Sequence, residues 1–308
     1  MKRIILRRIF LLIPVIIGVS ILIFVLMHMI PGDPARLLAG ENATYEDIQN
    51  IREKYGLNEP LINQYFLFFK NVFTGSLISL KTEMNVFDEI IPRFLNTLQL
   101  SFFAIAFATL FGIPLGIIAA VNEGKIFDKI ISGIYFFGVS MPVFWLGILL
   151  MLFFSVYLNV LPAGGKMGFE SIILPSVSLG FIISGTVIKM TRTSMITVLK
   201  EEHIRTMKAY GVKKRKIVYK YALKNALAPI ITILGLEFGY TLGGAILTEK
   251  VFGWPGLGRL IVDSIYYRDY PVVQVGIMVI AVSFVLVNLI VDILQIIINP
   301  RIAVGENV

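Results

Sequence analysis

The stretch Tyr270–Pro300, YPVVQVGIMVIAVSFVLVNLIVDILQIIINP, contains 31 residues and only one charged side chain, Asp292. An α-helix rises about 1.5 Å per residue, so about 20 apolar residues cross the hydrocarbon core of a bilayer. This stretch is long enough to do so. It therefore predicts a transmembrane helix near the end of the chain.

Five other stretches share this character, because each is long, apolar and almost free of charge. The predicted spans are residues 9–30, 95–121, 131–158, 171–189, 229–249 and 272–298. The composition agrees: 56% of the residues are hydrophobic and 16% are charged, whereas soluble domains average about 45–50% and 25%. We predict an all-α polytopic membrane protein with six transmembrane helices that form one domain over residues 1–308.

The distribution of charge predicts which side of the membrane each loop occupies. The first span follows a basic segment, but its apolar run exceeds the roughly 7–15 residues of a signal peptide, so we interpret it as an uncleaved anchor. Segments 1–8, 123–129, 189–224 and 301–308 together hold 18 Lys and Arg against 5 Asp and Glu. The remaining loops hold 10 against 13. Because basic loops are retained inside, we predict cytoplasmic N- and C-termini in a cell (inner) membrane protein.

The long outer segment, residues 31–93, is predicted to contain two helices. Thr44 resembles a helix start and Gly56 a helix stop, and a second helix would run from Pro60 to Phe73. Its predicted apolar face comprises Leu61, Tyr65, Phe68, Phe69 and Val72. The segment would act as a lid on the spans, as a docking surface for an external partner, or as both.

Several chemistries are excluded by the sequence. The chain has no cysteine, so it has no disulfide, thiolate metal site or thiol nucleophile. His28 and His203 fall near opposite predicted sides of the membrane, so they do not predict a metal site. The net charge of +8 does not predict nucleic-acid binding, because a soluble domain and interleaved aromatic residues are missing.

An ATP-binding P-loop is also missing from the sequence. The nearest fragment to Gly-x-x-x-x-Gly-Lys-Ser/Thr is Gly164–Lys166, which lacks the spaced glycine and the hydroxyl residue. Transport driven by ATP would therefore require a separate ATPase chain.

The cytoplasmic loop 190–228 has the most informative pattern. A helix beginning near Glu202 would be closed by Gly211, and the basic run Lys213–Lys216 follows. A helix–Gly–helix hairpin beneath the membrane would fit a groove on another protein. A basic helix lying on lipid is the alternative.

The fifth span carries small residues on one face and polar residues on another. Gly235, Gly239 and Gly243 recur every four residues, which allows another helix to approach closely. Glu237 and Thr241 share a different face. They would line a translocation path, or Glu237 would be a buried structural residue.

The last span also carries a polar stripe. The polar residues Asn288, Asp292, Gln295 and Asn299 lie on one face and predict either a polar seam between helices or a path lining. Pro114 and Pro142 lie inside the second and third spans, where each predicts a kink.

A family resemblance follows from the order and spacing of many short motifs. These motifs are Arg7-Arg8, Ile13-Pro14, Gly18–Ser20, Ile30–Ala35, Gly112–Gly116, Ser140–Gly147, Glu202–Gly211, Asn225–Pro229, Phe252–Arg259, Arg268–Gln274, Leu286–Asp292 and Asn299–Arg301. Together they resemble the permease subunits of ABC importers of the dipeptide, oligopeptide and nickel branch. The similarity covers nearly the whole chain.

The resemblance implies a type I ABC importer permease fold and a set of partners. These partners would be a homologous second permease, two cytoplasmic ATPases and an extracytoplasmic solute-binding protein, with membrane lipid around the spans. ATP and Mg would bind the ATPases, and this chain would hold no cofactor and catalyse no reaction.

The resemblance also assigns the loop 190–228 to coupling with the ATPases. The family motif is Glu-Ala-Ala with a glycine six positions after the Glu. Here Arg205, Thr206 and Met207 occupy the three positions, and Gly211 is retained. Glu202 and Asn225 complete the implied coupling residues.

The resemblance leaves the substrate open. Short peptides are the expected cargo, and nickel or oligosaccharides are alternatives on the same architecture. More distant alternatives are an intramembrane enzyme, for which Glu237 and Asp292 lack an intramembrane histidine partner, and an ion channel, for which no repeated filter sequence is present.

Overall fold

The computed structural model describes residues 2–29, 32–39 and 43–298. These residues form helices and no β-strand, and they contain an isolated antiparallel bridge between Ile78 and Asn85. The α-helices are α1 (Lys2–Met29), α2 (Pro34–Ala39), α3 (Tyr45–Lys54), α4 (Leu61–Thr74), α5 (Val86–Val121), α6 (Ile126–Ser140), α7 (Val143–Met151), α8 (Ile173–Leu199), α9 (Glu202–Ala209), α10 (Lys214–Lys216), α11 (Leu223–Gly244), α12 (Ile246–Val251), α13 (Leu257–Tyr267) and α14 (Tyr270–Ile298).

Helices fall on all six predicted spans. By length and composition, four described helical segments could each cross a membrane, namely residues 86–121, 169–199, 214–243 and 270–297. A fifth crossing results if the bent pair 126–140 and 143–157 counts as one span. In α1 the apolar part is the shorter stretch Ile13–Met29. The exact membrane boundaries remain predictions.

Some helices extend well beyond the apolar stretches. α5 begins at Val86 rather than near residue 95, with Asp88 and Glu89 in its first turn. α8 continues to Leu199, past the predicted end of its span at Lys189, and this extension carries Arg192. A search for uncharged stretches finds the hydrocarbon-embedded part of a helix and misses the part that continues into water.

The third predicted span is broken rather than kinked. α6 ends at Ser140, and the next helical segment, Val143–Tyr157, leaves at an angle of 100°. Met141 and Pro142 are both extended, with ψ angles of 130° and 131°. Proline disfavours the helical conformation of the preceding residue and has no N–H to donate, which explains the break.

The predicted kink at Pro114 does not interrupt its helix, because α5 runs unbroken from Val86 to Val121. Glycines on both sides of this proline bring α5 against α8. A Cβ at Gly112 would lie 2.8 Å from Val187, and one at Gly116 would lie 2.5 Å from Thr191. This close packing supports the helix on either side of the proline.

The chain divides into two compact units, and the prediction of one domain stays a prediction. Among the described residues, one unit comprises 2–6, 98–254 and 284–298, and the other comprises 7–97 and 255–283. In the first unit, α5 and α8 pack around Ala104, Leu179 and Trp254. In the second, Ile23, Phe68 and Leu257 belong to one apolar cluster.

The two predicted helices of the outer segment are confirmed, in the second unit. Thr44 caps α3 through reciprocal hydrogen bonds with Asp47 that form a capping box. These bonds from the side chain and backbone of Thr44 lower the pKa of Asp47. α3 ends just before Gly56, which has a φ of +65°.

The predicted apolar face of α4 is largely confirmed. Phe68 is buried, and Tyr65, Phe69 and Val72 are half-buried. Leu61 was wrongly assigned to this face, since 55% of it is exposed. It lies in the first turn of the helix, beyond the part that the apolar cluster covers.

A buried carboxylate organises the loop that follows α4. Asp269 is only 2% exposed and accepts a hydrogen bond of 2.5 Å from the Ser79 hydroxyl. The backbone N–H groups of Leu80 and Lys81 donate to the same carboxylate at 3.2 and 3.4 Å. Asp269 thereby links the turn around Ser79 to the start of α14.

Replacing Asp269 with alanine should destabilise the protein, because it leaves buried donors without an acceptor. Each such group costs roughly 1–3 kcal/mol, so we expect a clearly lower melting temperature in detergent and faster proteolysis within residues 76–86. Asp263→Ala is the matched control, since the 3.7 Å ion pair of Asp263 with Arg259 is solvent-exposed. Equal melting temperatures for the two variants would contradict this role.

Candidate coupling hairpin and intramembrane polar residues

The predicted glycine-closed helix of the loop 190–228 is confirmed. α9 ends in a Schellman motif, in which Gly211 adopts a φ of +74°. The Gly211 N–H donates to the Lys208 carbonyl at 3.0 Å, and the Val212 N–H donates to the Met207 carbonyl at 3.1 Å. Gly211 therefore occupies a left-handed position that an L-residue with a side chain adopts only with strain.

The second helix of the predicted helix–Gly–helix hairpin is present, and it is continuous with the helix of the predicted fifth span. The helix begins at Lys214 and continues through a π-helical segment, Ile217–Ala222, into α11. Asn225 and Pro229, which lead into the predicted fifth span, both lie inside α11. Ile217, Val218 and Ala222 are buried, which indicates that apolar packing extends this helix beyond its predicted boundary.

One face of α9 packs against its own chain. Ile204 is fully buried, and Met207 is half-buried against the same apolar cluster, which includes Ile217 and Val218. Met207 therefore helps to hold the hairpin to this unit while part of its surface stays exposed, and its role in ATPase coupling stays a prediction.

The opposite face of α9 is exposed. Glu202, Arg205, Thr206 and Ala209 are all exposed and follow helical spacing. The Thr206 hydroxyl donates to the Glu202 carbonyl at 3.0 Å. Tyr210, at the tip of the hairpin, is 84% exposed. The basic residues Lys213–Lys216 are exposed as well.

Asn225 connects the two arms of the hairpin. Its side-chain amide nitrogen lies 3.4 Å from Nε2 of His203 in α9. His203 Nδ1 is 3.0 Å from the Glu201 carboxylate. Asn225 is thus placed where it orients α9 relative to α11.

A buried ion pair near this hairpin was missed from the sequence. Asp128, 4% exposed, accepts two hydrogen bonds from Arg192, of 2.6 and 2.8 Å, and a third from the Gly124 N–H at 2.8 Å. The pair joins the start of α6 to α8 seven residues before α8 ends at Leu199. The partners are 64 residues apart in the chain, so spacing alone gives no signal of the contact.

The predicted packing of the glycine stripe is confirmed for two of its three residues. A Cβ on Gly235 would collide with Val291, and one on Gly239 would lie 2.6 Å from Phe284. Both neighbours belong to α14, so the small residues of α11 let α14 approach closely.

The two residues predicted as a possible path lining have structural contacts. Glu237 is half-buried and lies near the Thr186 side chain of α8. Thr241 is buried, and its hydroxyl donates to the Phe238 carbonyl of its own helix at 2.8 Å. A translocation path and a structural glutamate are both compatible with these contacts, and both stay predictions.

The polar stripe of α14 forms a seam at one of its positions. Gln295 Nε2 donates to the Thr232 hydroxyl of α11 at 2.5 Å. Asn288 instead donates to the Phe284 carbonyl of its own helix at 2.9 Å. Asp292 lies between these two on the same face, and Asn299 lies outside the described residues.

No metal centre is found in the part of the chain that the structure describes, where no three His, Asp or Glu side chains cluster. His28 contacts the Phe24 carbonyl and the Gln64 side chain at 2.7 and 3.2 Å. His203 contacts Glu201 and Asn225, as described above. Each histidine thus has local contacts of its own.

Comparison with known proteins identifies the architecture. The chain matches the family described as binding-protein-dependent transport system inner membrane component over residues 112–304, and the N-terminal part of that family over residues 1–101. The inward-facing methionine ABC transporter MetNI has a similar structure, with a TM-score of 0.58 over 68% of this chain and 96% of that chain at 17% identity. At this identity the likeness shows the fold.

Two relatives from Escherichia coli K12 are similar over almost their whole lengths. The glutathione transport system permease protein GsiC is 43% identical over 98% of this chain and 99% of that protein. The dipeptide transport system permease protein DppB is 41% identical over the same shares. The chain therefore belongs to the binding-protein-dependent transport system inner membrane components, and it is a non-catalytic, multi-pass permease subunit of an ABC importer.

Proposed function

We propose that this permease forms half of a translocation pathway for short peptides, including glutathione-like peptides. The observation that carries the proposal is the full-length similarity to the glutathione and dipeptide permeases GsiC and DppB. The second half would come from a homologous permease. A solute-binding protein would deliver the peptide from outside.

The motor of this transport would be a pair of separate ATPases, because the sequence contains no P-loop. The α9 hairpin is the proposed docking element for one of them. Its face formed by Glu202, Arg205 and Thr206 is exposed, while Ile204 and Met207 fix the other face to the permease. An element with one face fixed and one face free is suited to transmit movement.

The proposed transmission route leads from the hairpin into the membrane. The second arm continues without a break from Lys214 to Gly243, so a displacement of α9 moves a helix that reaches the predicted fifth span. ATP binding would shift the equilibrium between the states of the pathway. The size of this shift is set by the difference in ATP affinity between those states.

Deleting the gene for this chain should abolish uptake of short peptides, because one half of the pathway is lost. The measurement is accumulation of labelled dipeptide and glutathione in intact cells, with and without a plasmid that restores the gene. Nickel and maltooligosaccharide uptake serve as controls and should be unchanged. Normal peptide uptake with loss of nickel or oligosaccharide uptake would refute the peptide assignment.

Substituting Gly211 with valine should uncouple ATP hydrolysis from transport. A left-handed conformation costs a residue with a side chain about 1–2 kcal/mol, which would distort the hairpin end. We expect the complex, reconstituted in proteoliposomes, to lose most of its peptide uptake while inserting normally and still hydrolysing ATP.

Gly75→Val is the matched control for Gly211→Val. Gly75 has nearly the same conformation, with a φ of +67°, and no neighbouring atom would meet a Cβ at either position. It closes α4 in the outer segment, so its substitution should leave coupling intact. Coupled uptake that is normal in Gly211→Val, or equally impaired in both variants, would argue against the coupling role.

The proposed sidedness can be measured because the chain has no native cysteine. Tyr210→Cys and Tyr45→Cys place single thiols at positions that are 84% and 77% exposed. A membrane-impermeant maleimide should label Tyr45→Cys in intact cells and label Tyr210→Cys only after the cells are opened. The reverse pattern would invert the topology and exclude cytoplasmic coupling through α9.

A further inference from the structure

α4 carries an apolar stripe on the side that it does not bury. Ile62, Phe66 and Phe73 follow one another at helical spacings of four and seven residues, so they lie on one face. Ile62, Phe66 and Phe73 are 69, 67 and 84% exposed. Three large apolar side chains exposed on one helix face indicate that a membrane or a protein partner covers them.

The contacts of α4 with α1 show the depth at which the stripe lies. Tyr65 and Ser20 are joined by a hydrogen bond of 2.8 Å between their hydroxyls, and Gln64 contacts His28 at 3.2 Å. Ser20 and His28 are eight residues apart, about 12 Å along a helix. Half of a hydrocarbon core is about 15 Å. The beginning of α4, at Gln64 and Tyr65, therefore lies beside one half of the predicted first span rather than above it.

The surface of α1 at the same level is itself apolar and exposed. Leu22, Val25, Leu26 and Met29 are 58, 47, 52 and 72% exposed. In a membrane-spanning helix such side chains face acyl chains. The stripe on α4 is at the depth of this lipid-facing surface.

The side of α4 next to the stripe is polar. Asn63, Lys70 and Thr74 are exposed and lie about 80–120° around the helix from Ile62, at 100° per residue. An exposed apolar face beside a polar face with a basic residue is the pattern of a helix lying in the membrane interface.

We propose that α4 lies in the outer leaflet, with Ile62, Phe66 and Phe73 among the lipid acyl chains and Asn63 and Lys70 at the headgroups. The outer segment is then partly a membrane-embedded element. A soluble partner that docks on the outer segment would use surfaces other than this stripe.

The experiment uses single-cysteine variants of the assembled transporter in lipid nanodiscs. Phe66→Cys and Phe73→Cys carry a nitroxide label on the stripe, and Asn63→Cys and Lys70→Cys carry it on the polar side as matched controls. If Phe66→Cys or Phe73→Cys fails to assemble, Ile62→Cys is used in its place. Electron paramagnetic resonance then measures how accessible each label is to oxygen, which concentrates in lipid, and to a water-soluble nickel chelate.

The expected ratio of oxygen to nickel accessibility is several-fold higher at positions 66 and 73 than at positions 63 and 70. A ratio at the stripe equal to that of the controls would place the stripe in water and overturn the proposal. Low accessibility to both reagents would show that protein covers the stripe, and this result would overturn it as well. The comparison does not depend on which side of the membrane is cytoplasmic or on what the transporter carries.

Discussion

The first unit, which includes residues 98–254 and 284–298, depends on one interaction. This interaction is the close contact between helix backbones at small residues. Lipid tails are as apolar as the side chains, so burying apolar side chains between helices gains little free energy in a membrane. The helices therefore associate through tight van der Waals contact. Gly116 meets Thr191, and Gly180 lies against the Ala104 carbonyl, where a Cβ would be 2.7 Å away. Gly235 and Gly239 bring α11 equally close to α14. A side chain at any of these glycines would push the two helices apart. The polar residues that the helices carry would then lose their alignment.

Sequence reasoning succeeded where one physical signal dominates. Long uncharged stretches located helices on all six predicted spans, and the motifs at Thr44 and Gly211 predicted the ends of α3 and α9, because capping depends on a few neighbouring residues. It failed where packing competes with local preference. Pro142 breaks its span while Pro114 does not, although the helices that flank both prolines pack against α8.

The α9 hairpin was predicted only in part, because its local pattern can be read from the sequence and its tertiary contacts cannot. Exposure of Arg205 and Thr206 follows from the pattern of a helix with one apolar side. The partial burial of Met207 depends on a cluster that includes Ile117, which lies 90 residues earlier in the chain. The pair of Asp128 with Arg192 is likewise a tertiary contact between residues 64 positions apart, for which a single sequence carries no signal.

The buried side and the exposed side of α9 differ in how much they contribute to the stability of the permease. Ile204 and Met207 serve the stability of the permease, whereas Glu202, Arg205 and Thr206 make no side-chain contact on which its apolar cluster depends. Substitutions on the free side can therefore accumulate at small cost to folding. Under the proposed docking of an ATPase on this side, recognition of the ATPase can diverge among related importers while the scaffold is preserved, and duplicated transport systems in one cell then avoid exchanging their motors.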